Sequence, residues 1–253
     1  MIGRWFKSLG LVLSFGTIFP MPNLGSVDDN SLRRSIAWFP LVGLILGLAL
    51  WGVNAVSAWI VPRAVAALIA LTLYTLATGG LHLDGLMDTL DAIGSRKPAT
   101  LALAIMKDSR IGAMGAIAAI LLLMGKALAF SRLPLTASPG AWVAVPMMAR
   151  AAVIWPMALA PAAGDSGLGA TYAQKIPLRS IIIAIAMGIL GVWLLLPVVA
   201  ALVLTAVTIA MAWSWTRFIA RRFGGFTGDT YGALIEIVEW LGFLVLTGGF
   251  SHG

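Results

Sequence analysis

Long apolar segments alternate with short polar segments along most of this chain. Seven predominantly apolar runs are long enough to cross a bilayer as helices, at about 35–60, 63–80, 111–130, 140–162, 179–196, 197–217 and 232–249. Proline, glycine or charged residues stand near most of their boundaries, where such residues begin or end helices. The pattern therefore predicts an all-α, polytopic membrane helical bundle with about seven transmembrane helices.

The first apolar run differs from the others because it is shorter and contains more polar residues. Residues 5–19 include Lys7 and three hydroxyl side chains, and Pro20 ends the run. A segment of this length does not cross a bilayer comfortably, so it is predicted to form an N-terminal interfacial or re-entrant helix. No small-residue cleavage site follows, and a removable signal peptide is not predicted.

The composition agrees with a membrane protein. Apolar residues make up 60% of the chain and charged residues only 11%, whereas about a quarter of the residues of a soluble domain are charged. No polar stretch is long enough for a separate soluble domain, so residues 1–253 are predicted to form a single integral membrane domain. The chain has no cysteine, which excludes disulfides, thiolate catalysis and cysteine metal sites.

The basic residues predict the orientation of the chain. With a cytoplasmic N-terminus and seven spans, thirteen of the seventeen Lys and Arg residues lie inside or at the inner boundary. This orientation places residues 82–110 and 224–239 together on the cytoplasmic side. The basic residues are scattered among apolar spans, so the net charge of +7 indicates contact with anionic lipid rather than nucleic acid.

Three carboxylates fall within eight residues of a chain that has ten acidic residues in all. Asp84, Asp88 and Asp91 are spaced i, i+4 and i+7, which places them on one face of a helix. Such a group of oxygen ligands suits Mg²⁺, Mn²⁺ or Ca²⁺, although a solvated helix face is the alternative. A second group of charges follows, at Lys107, Asp108 and Arg110.

A third polar region combines glycine, basic and acidic residues. Backbone N–H groups of a glycine-rich loop near a helix start can bind an anion, and the candidates here are Gly225, Thr227 and Gly228, preceded by Arg221 and Arg222. Three acids follow, Asp229, Glu236 and Glu239, of which the last two share a helix face. The alternatives are a simple turn and a polar helix mouth at the interface.

Carboxylates, a divalent cation and basic side chains together are typical of proteins that bind and activate a phosphoryl group. His82 is a candidate general base, or else a hydrogen-bonded neighbour of a carboxylate. Arg150 lies inside a span and is expected to contact either an anionic ligand or a carboxylate. Lys126 is expected to extend its ammonium group towards the membrane surface.

These segments resemble the motifs of a known family, the cobalamin synthases or adenosylcobinamide-GDP ribazoletransferases. The matching segments are GGLHLDGLMDTLD at 79–91, MKDSRIG at 106–112 and GGFTGDTYGA at 224–233, followed by Glu236 and Glu239. Weaker matches include FPLVG at 39–43, so that the resemblance extends from about residue 15 to residue 240. The first two motifs together are very specific for this family.

The resemblance implies Mg²⁺-dependent transfer of adenosylcobinamide phosphate from adenosylcobinamide-GDP to a ribose hydroxyl of α-ribazole or its 5′-phosphate, with release of GMP. The catalytic candidates are Asp84, Asp88, His82, Lys107 and Arg110. The candidates for substrate-phosphate binding are Arg221, Arg222, Gly225, Thr227 and Gly228. The candidate metal ligands are Asp84, Asp88, Asp91, Asp108, Asp229, Glu236 and Glu239.

The resemblance also implies a multi-pass protein of a bacterial or archaeal cytoplasmic membrane, with its active site facing the cytoplasm. A homo-oligomer, or a complex with other enzymes of the corrinoid pathway, is compatible with it. Two other functions are considered. A CDP-alcohol phosphotransferase is disfavoured because Gly85 follows the first aspartate and the Ala-Arg pair of that family's motif is missing. A cation transporter is disfavoured because these acids cluster near one surface beside basic residues.

Overall fold

The computed structural model describes residues 2–19, 28–135, 139–164, 170–171 and 176–248, so the predicted helix end at Pro20 lies outside the described residues. The helices are α1 (Ile2–Gly16), α2 (Asp29–Ser35), α3 (Phe39–Ser57), α4 (Arg63–Ala77), α5 (Leu81–Gly94), α6 (Ala99–Met106), α7 (Ala113–Arg132), α8 (Gly140–Ala152), α9 (Ile154–Leu159), α10 (Leu178–Leu195), α11 (Val198–Phe223) and α12 (Gly228–Leu246). Across these ranges no β-strand forms, and one isolated bridge pairs Ala162 with Phe226. The predicted all-α class is therefore confirmed.

Five of the described helical segments are long and apolar enough to cross a membrane, namely Asp29–Ser57, Ala113–Arg132, Gly140–Leu159, Leu178–Leu195 and Val198–Phe223. The pair α4 and α5 adds a sixth if it is counted as one broken span. Helix α12 corresponds to the predicted last span, but it carries three acidic residues and is mostly buried within the bundle. The prediction of a polytopic helical bundle is confirmed, with a similar number of helices.

Helices α4 and α5 meet at an angle of 86°. Gly79 and Gly80 form the corner with φ values of 62° and 69°, a left-handed conformation that glycine adopts at little cost. The sharp turn directs α5 away from the axis of α4, so the two helices do not continue as one straight span. The sequence therefore places its first group of aspartates on a helix that lies at one end of the bundle.

Helix α8 forms the centre of the bundle, and all of its residues from Ala141 to Ala152 are buried. Two glycines of α3 allow close contact with it, because a Cβ atom at Gly47 would lie 2.7 Å from the Trp142 carbonyl oxygen and one at Gly43 would overlap the Pro146 backbone. Small residues at helix contacts let transmembrane helices approach closely. Helices α3 and α12 thus flank α8.

One predicted boundary is wrong. The sequence predicted that the sixth span ends at residue 217 and that a loop begins there, but α11 continues to Phe223. It ends at Gly224, whose φ of 79° is the left-handed conformation common just after a helix. Arg221 and Arg222 consequently lie on the last turn of a long helix, where positive charge interacts favourably with the helix dipole.

Candidate active site

The aspartates of the first motif lie on helix α5, as their spacing predicted. The face that contains Gly85, Leu86, Thr89 and Ala92 is buried. The Asp84 side chain is exposed and the Asp88 side chain, one turn further along, is half-buried. The apolar face therefore fixes the helix, and two carboxylates remain at the surface of the bundle.

The first and third motifs meet where α5 crosses the start of α12. A Cβ atom at Gly85 would lie 2.9 Å from both the Cα and the carbonyl oxygen of Asp229, and one at Gly232 would lie 3.2 Å from the His82 Cα. Contacts this short leave little or no room for a side chain, so glycine at both positions lets the two helices touch. The crossing places Asp229 beside Asp84 and Asp88.

The first turn of α12 is held by a reciprocal cap. The Thr230 backbone N–H donates to the Thr227 hydroxyl over 3.3 Å, and the Thr227 N–H donates to the Thr230 hydroxyl over 2.9 Å. This arrangement satisfies backbone donors at the helix start. The Thr227 hydroxyl also lies 3.3 Å from an oxygen of Asp229. The predicted glycine-rich segment therefore orients the Asp229 carboxylate at the helix N-terminus.

We call Asp84, Asp88 and Asp229 the carboxylate site. The pKa of Asp88 is raised to about 6. Partial burial is the largest cause, and repulsion from Asp84, Asp229 and Asp91 adds to it. Within the described ranges, no Lys or Arg side chain forms a salt bridge with any member of this site. The site is therefore a group of mutually repelling carboxylates whose charge the described part of the protein leaves uncompensated.

The donor set of this site fits a hard divalent cation. Carboxylate oxygens are the ligands that Mg²⁺ prefers, and a cation among them would remove the repulsion felt by Asp88. As the side chains stand, no three His, Asp or Glu side chains in the described ranges are close enough to enclose a metal ion. The side chains of Asp84, Asp88 and Asp229 would have to converge further to do so.

Asp91 has a different environment from the other aspartates of α5. Its carboxylate accepts hydrogen bonds from the backbone N–H groups of Gly112 over 2.7 Å and Gly115 over 2.8 Å. These donors belong to the N-terminus of α7, so Asp91 caps a helix that begins twenty-two residues after it. A side chain at either glycine would overlap the carboxylate. Asp91 thereby fixes the second motif against α5.

The charged residues of the second motif lie in the exposed loop between α6 and α7. Arg110 forms a salt bridge with Asp108 at 2.5 Å, and its hydrogen bonds hold the pKa of Asp108 at about 2. Lys107, just after α6, has an exposed side chain. At the end of α6, Met106 contacts the Thr227 hydroxyl through its sulfur at 3.8 Å. The loop is therefore attached beside the start of α12.

The two arginines that precede the third motif, Arg221 and Arg222, lie on the last turn of α11. The Arg222 guanidinium donates to the Lys97 carbonyl oxygen over 2.7 Å. Arg221 is exposed and lines a groove with Arg217 and Trp213. Gly225 lies in close contact with Ala162, and a Cβ atom at Gly225 would overlap the Ala162 backbone. Arg222 thus connects α11 to the loop that follows α5, and Arg221 presents its charge to solvent.

Glu236 and Glu239 lie deeper in the bundle than the other predicted metal ligands. Lys126 donates to Glu236 over 2.7 Å and to Glu239 over 2.6 Å, and Arg150 donates to Glu239 over 2.6 Å. The Tyr74 hydroxyl donates to Glu239 as well. We call these five residues the buried ionic network. Two positive charges balance two negative charges, so the structure places a complete set of ion pairs where a metal was predicted.

These contacts settle two predictions about spans. Lys126 does not extend to the membrane surface as predicted, because only 2% of it is exposed and its ammonium group binds both glutamates. Arg150 pairs with a carboxylate, which was one of its two predicted roles. Sequence reasoning missed Tyr74 and the ion pairs of Lys126. A lysine inside a predicted span is a signal of an ion pair, but it does not identify the partners.

His82 is 9% exposed and lies on the buried face of α5, at the contact with Gly232. It lines a small pocket together with Asp229, so it stands next to the carboxylate site without belonging to its exposed face. The arrangement agrees with either predicted role, that of a base or that of a neighbour of a carboxylate. Its role in catalysis stays a prediction.

Comparisons with known proteins identify the family. The family model described as cobalamin-5-phosphate synthase matches residues 8–247. A protein of Desulforamulus reducens, named adenosylcobinamide-GDP ribazoletransferase, is 40% identical, with 96% of this chain and 97% of the relative aligned. A protein of the same name from Brevibacillus brevis is 39% identical, with 94% and 96% aligned. No solved structure matches this chain.

The match covers all three motifs and nearly all of the helices. It includes Asp84, Asp88 and Asp229 of the carboxylate site and all five residues of the buried ionic network. Both groups of charged residues therefore lie within the segment that defines the family. This chain belongs to the cobalamin-5-phosphate synthase family.

Proposed function

We propose that this protein transfers the adenosylcobinamide phosphate group from adenosylcobinamide-GDP to a ribose hydroxyl of α-ribazole or α-ribazole 5′-phosphate. Its relatives are named adenosylcobinamide-GDP ribazoletransferase, which supports this reaction. The product is adenosylcobalamin or its 5′-phosphate, and GMP is released. The reaction is the last step of nucleotide loop assembly in cobalamin synthesis.

In this reaction, the hydroxyl oxygen of the ribose forms a bond with the phosphorus on the cobinamide side of the pyrophosphate. The bond from that phosphorus to the bridging oxygen breaks, and GMP leaves with the electron pair. The proton of the attacking hydroxyl passes to a base on the protein. The reaction therefore requires a group that neutralises phosphate charge and a group that accepts a proton.

The observation that carries the proposal is the uncompensated carboxylate site at the crossing of α5 and α12. Three carboxylates without a basic partner in the described ranges offer the oxygen donors that Mg²⁺ requires. When bound, Mg²⁺ would neutralise charge that develops on the phosphoryl oxygens. A carboxylate oxygen that is not used as a ligand can accept the hydroxyl proton, and Asp84 and Asp88 are the candidates.

The exposed basic residues around the site are proposed to contact the phosphates. Lys107 and Arg110 follow α6, whose end touches Thr227 beside Asp229. Arg221 and Arg222 lie at the end of α11, two to three residues before the Gly224–Gly228 segment. Basic side chains that surround carboxylates can hold a pyrophosphate and stabilise the departing GMP. Asp91 and Asp108 are proposed mainly to hold the surrounding segments in place.

The proposed site of action is the cytoplasmic membrane of a bacterium or archaeon, with the carboxylate site facing the cytoplasm. The distribution of basic residues supports this orientation. The apolar helices support a multi-pass protein in a lipid bilayer. The substrates are the corrinoid donor and the nucleoside acceptor, with no nucleic acid involved.

The test is product formation by the purified protein in lipid nanodiscs. We expect adenosylcobinamide-GDP, α-ribazole and Mg²⁺ to yield cobalamin and GMP in equal amounts, and we expect EDTA to stop both products. Parallel reactions would contain a CDP-alcohol with an alcohol acceptor, and liposomes would report cation flux. Turnover of the CDP-alcohol, or flux without cobalamin, would overturn the proposal in favour of one of the other functions.

A further inference from the structure

A pocket of about 150 Å³ opens beside the carboxylate site. Its walls are mostly apolar and include Phe15 of α1, Phe39 of α3, and Val153 and Met157 at the junction of α8 and α9. Asp229 also lines it, at the start of α12. The pocket therefore has an apolar interior and shares one carboxylate with the proposed reaction site.

Two buried polar groups, one in this pocket and one in a neighbouring cavity, have no hydrogen-bond partner in the described ranges. The Tyr231 hydroxyl is one of them, although only 4% of the residue is exposed. Stacking on Phe226, with 4.9 Å between the ring centroids, fixes the Tyr231 ring. Because a buried hydroxyl without a partner is costly, it indicates that a ligand or a water completes the site.

The second group lies further in. A cavity of about 30 Å³ shares Phe15, Phe39 and His82 with the pocket and reaches Arg150. The Nη1 atom of Arg150 binds Glu239, whereas its Nη2 atom has no partner. A cavity of this size holds a single water. The cavity next to the pocket therefore contains an unpaired hydrogen-bond donor.

We propose that this pocket binds the aromatic base of the nucleoside acceptor, a planar bicyclic benzimidazole with one ring nitrogen free to accept a hydrogen bond. This inference rests on the proposed function. The pocket has the size of a substituted bicyclic ring, and aromatic and aliphatic walls suit such a ring. The Tyr231 hydroxyl supplies the single donor that the ring nitrogen requires.

The other parts of the substrates fit this pocket less well. A corrinoid macrocycle is far larger than 150 Å³. Guanine carries several donors and acceptors, which the apolar walls would leave unpaired at considerable cost. With the benzimidazole inside, the attached ribose emerges next to Asp229. The pocket thus delivers the attacking hydroxyl to the carboxylate site while the corrinoid and the GMP moiety remain outside.

The first test fills the pocket by the substitution Val153→Phe. We expect the KM for α-ribazole to rise by at least about tenfold, because the added ring occupies the space of the base, while the KM for adenosylcobinamide-GDP changes less than about twofold. The matched control is Ala127→Phe, which fills the separate apolar groove between α4 and α7. It should change neither KM.

Two further measurements keep the inference testable if Val153→Phe fails to fold. Met157→Ala enlarges the pocket and should shift the preference from a benzimidazole riboside towards a larger naphthimidazole riboside. The second measurement is binding of the benzimidazole riboside to the Tyr231→Phe variant, by calorimetry without the donor substrate. We expect the affinity to fall by about tenfold. The substitution should not weaken binding of an indole riboside, which lacks the accepting ring nitrogen.

These outcomes separate the inference from the proposed function. The pocket assignment is overturned if the wild type makes cobalamin but all three variants leave α-ribazole binding and selectivity unchanged. It is also overturned if Val153→Phe instead raises the KM for the GDP-activated donor, since the pocket would then hold guanine. If the wild type makes no cobalamin at all but still binds α-ribazole in this pocket, the proposed reaction fails and the pocket assignment stands.

Discussion

Helix α12 contributes acidic residues to both the carboxylate site and the buried ionic network, and the two groups handle negative charge in opposite ways. In the network, Lys126 and Arg150 bind Glu236 and Glu239 at 2.6–2.7 Å. In the carboxylate site, Asp229 meets two further aspartates and no basic residue in the described ranges. The charges of the first group balance one another, and those of the second are the basis of the proposed cation site.

The difference shows that a cluster of acids in a sequence does not by itself indicate a metal site. Glu236 and Glu239, at i and i+3, have nearly the same spacing as Asp84 and Asp88, at i and i+4. What distinguishes them is the position of the basic partners, which lie 110 and 89 residues away in sequence. Only the packing of α7 and α8 against α12 brings those partners into contact.

The largest expected effect follows from removing one charge from the carboxylate site. Asp84→Asn keeps the size of the side chain but removes its negative charge, so it should weaken the proposed metal binding and proton acceptance. We expect the rate of cobalamin formation to fall by about 10²–10⁴-fold. The melting temperature should stay the same or rise, because the substitution relieves repulsion with Asp88. Product formation and thermal unfolding in nanodiscs measure the two quantities.

Asp29→Asn is the matched control for this substitution, because Asp29 is an exposed aspartate on α2, away from the motifs. It should retain full activity. An Asp84→Asn variant that keeps wild-type activity at saturating Mg²⁺ would show that the carboxylate site is not the reaction centre. The carboxylate site would then differ from the buried ionic network in its charge balance but not in its function.

The second effect concerns stability rather than activity. Lys126→Met removes one cation from the buried ionic network and leaves Glu236 and Glu239 with only Arg150. An unpaired buried charge costs about 3–5 kcal/mol, so we expect a large fall in the free energy of unfolding. Unfolding in detergent, followed by loss of tryptophan fluorescence, measures the change.

The double variant Lys126→Met with Glu236→Gln tests whether charge balance is the reason. It retains the Arg150–Glu239 pair and restores a net charge of zero, so we expect it to recover a large part of the lost stability. The double-mutant cycle isolates this coupling. If the double variant were as unstable as the sum of the two single variants, the network would act through packing and not through charge balance.

A smaller loss of stability is expected from substitution of Asp91. This residue lies on the same helix as Asp84 and Asp88, but backbone N–H groups bind its carboxylate. Asp91→Ala removes both acceptors of the Gly112 and Gly115 N–H groups. Leaving these donors without partners should lower the free energy of unfolding by about 1–3 kcal/mol. Hydrogen exchange should increase first at the start of α7. Exchange that increases instead along α5 would contradict the capping role.

The sequence predicted the helices and the motifs well, for reasons that are local. Apolar runs of sufficient length fixed the spans, and the spacing of Asp84 and Asp88 fixed their common face. The topology also predicted that residues 82–110 and 224–239 lie on one side, and the contact between Gly85 and Asp229 confirms that these regions are adjacent. Local pattern was sufficient for the helices and for the shared face, and the side of the membrane that these two regions face stays a prediction.

The remaining features depend on contacts between distant segments. The pairing of Lys126 with two glutamates could not be predicted from its own span. A lysine at this position of a span can equally extend to the membrane surface. The capping of α7 by Asp91 requires the loop after α6 to return to α5. The end of α11 at Gly224 was missed because the basic residues after residue 217 resemble a loop. In each case, tertiary packing determined the outcome.

The smallest effect is expected at the exposed pair of Asp108 and Arg110, which shares its chemistry with the buried ionic network but not its environment. The Arg110 side chain is 88% exposed, so water screens the pair and competes for its hydrogen bonds. We expect Asp108→Asn to leave the melting temperature unchanged at both low and high salt. Since Lys126→Met removes a charge from a similar hydrogen-bonded pair, the contrast isolates burial as the cause. A large, salt-dependent loss of stability in Asp108→Asn would contradict that explanation and would assign the loop after α6 a structural role.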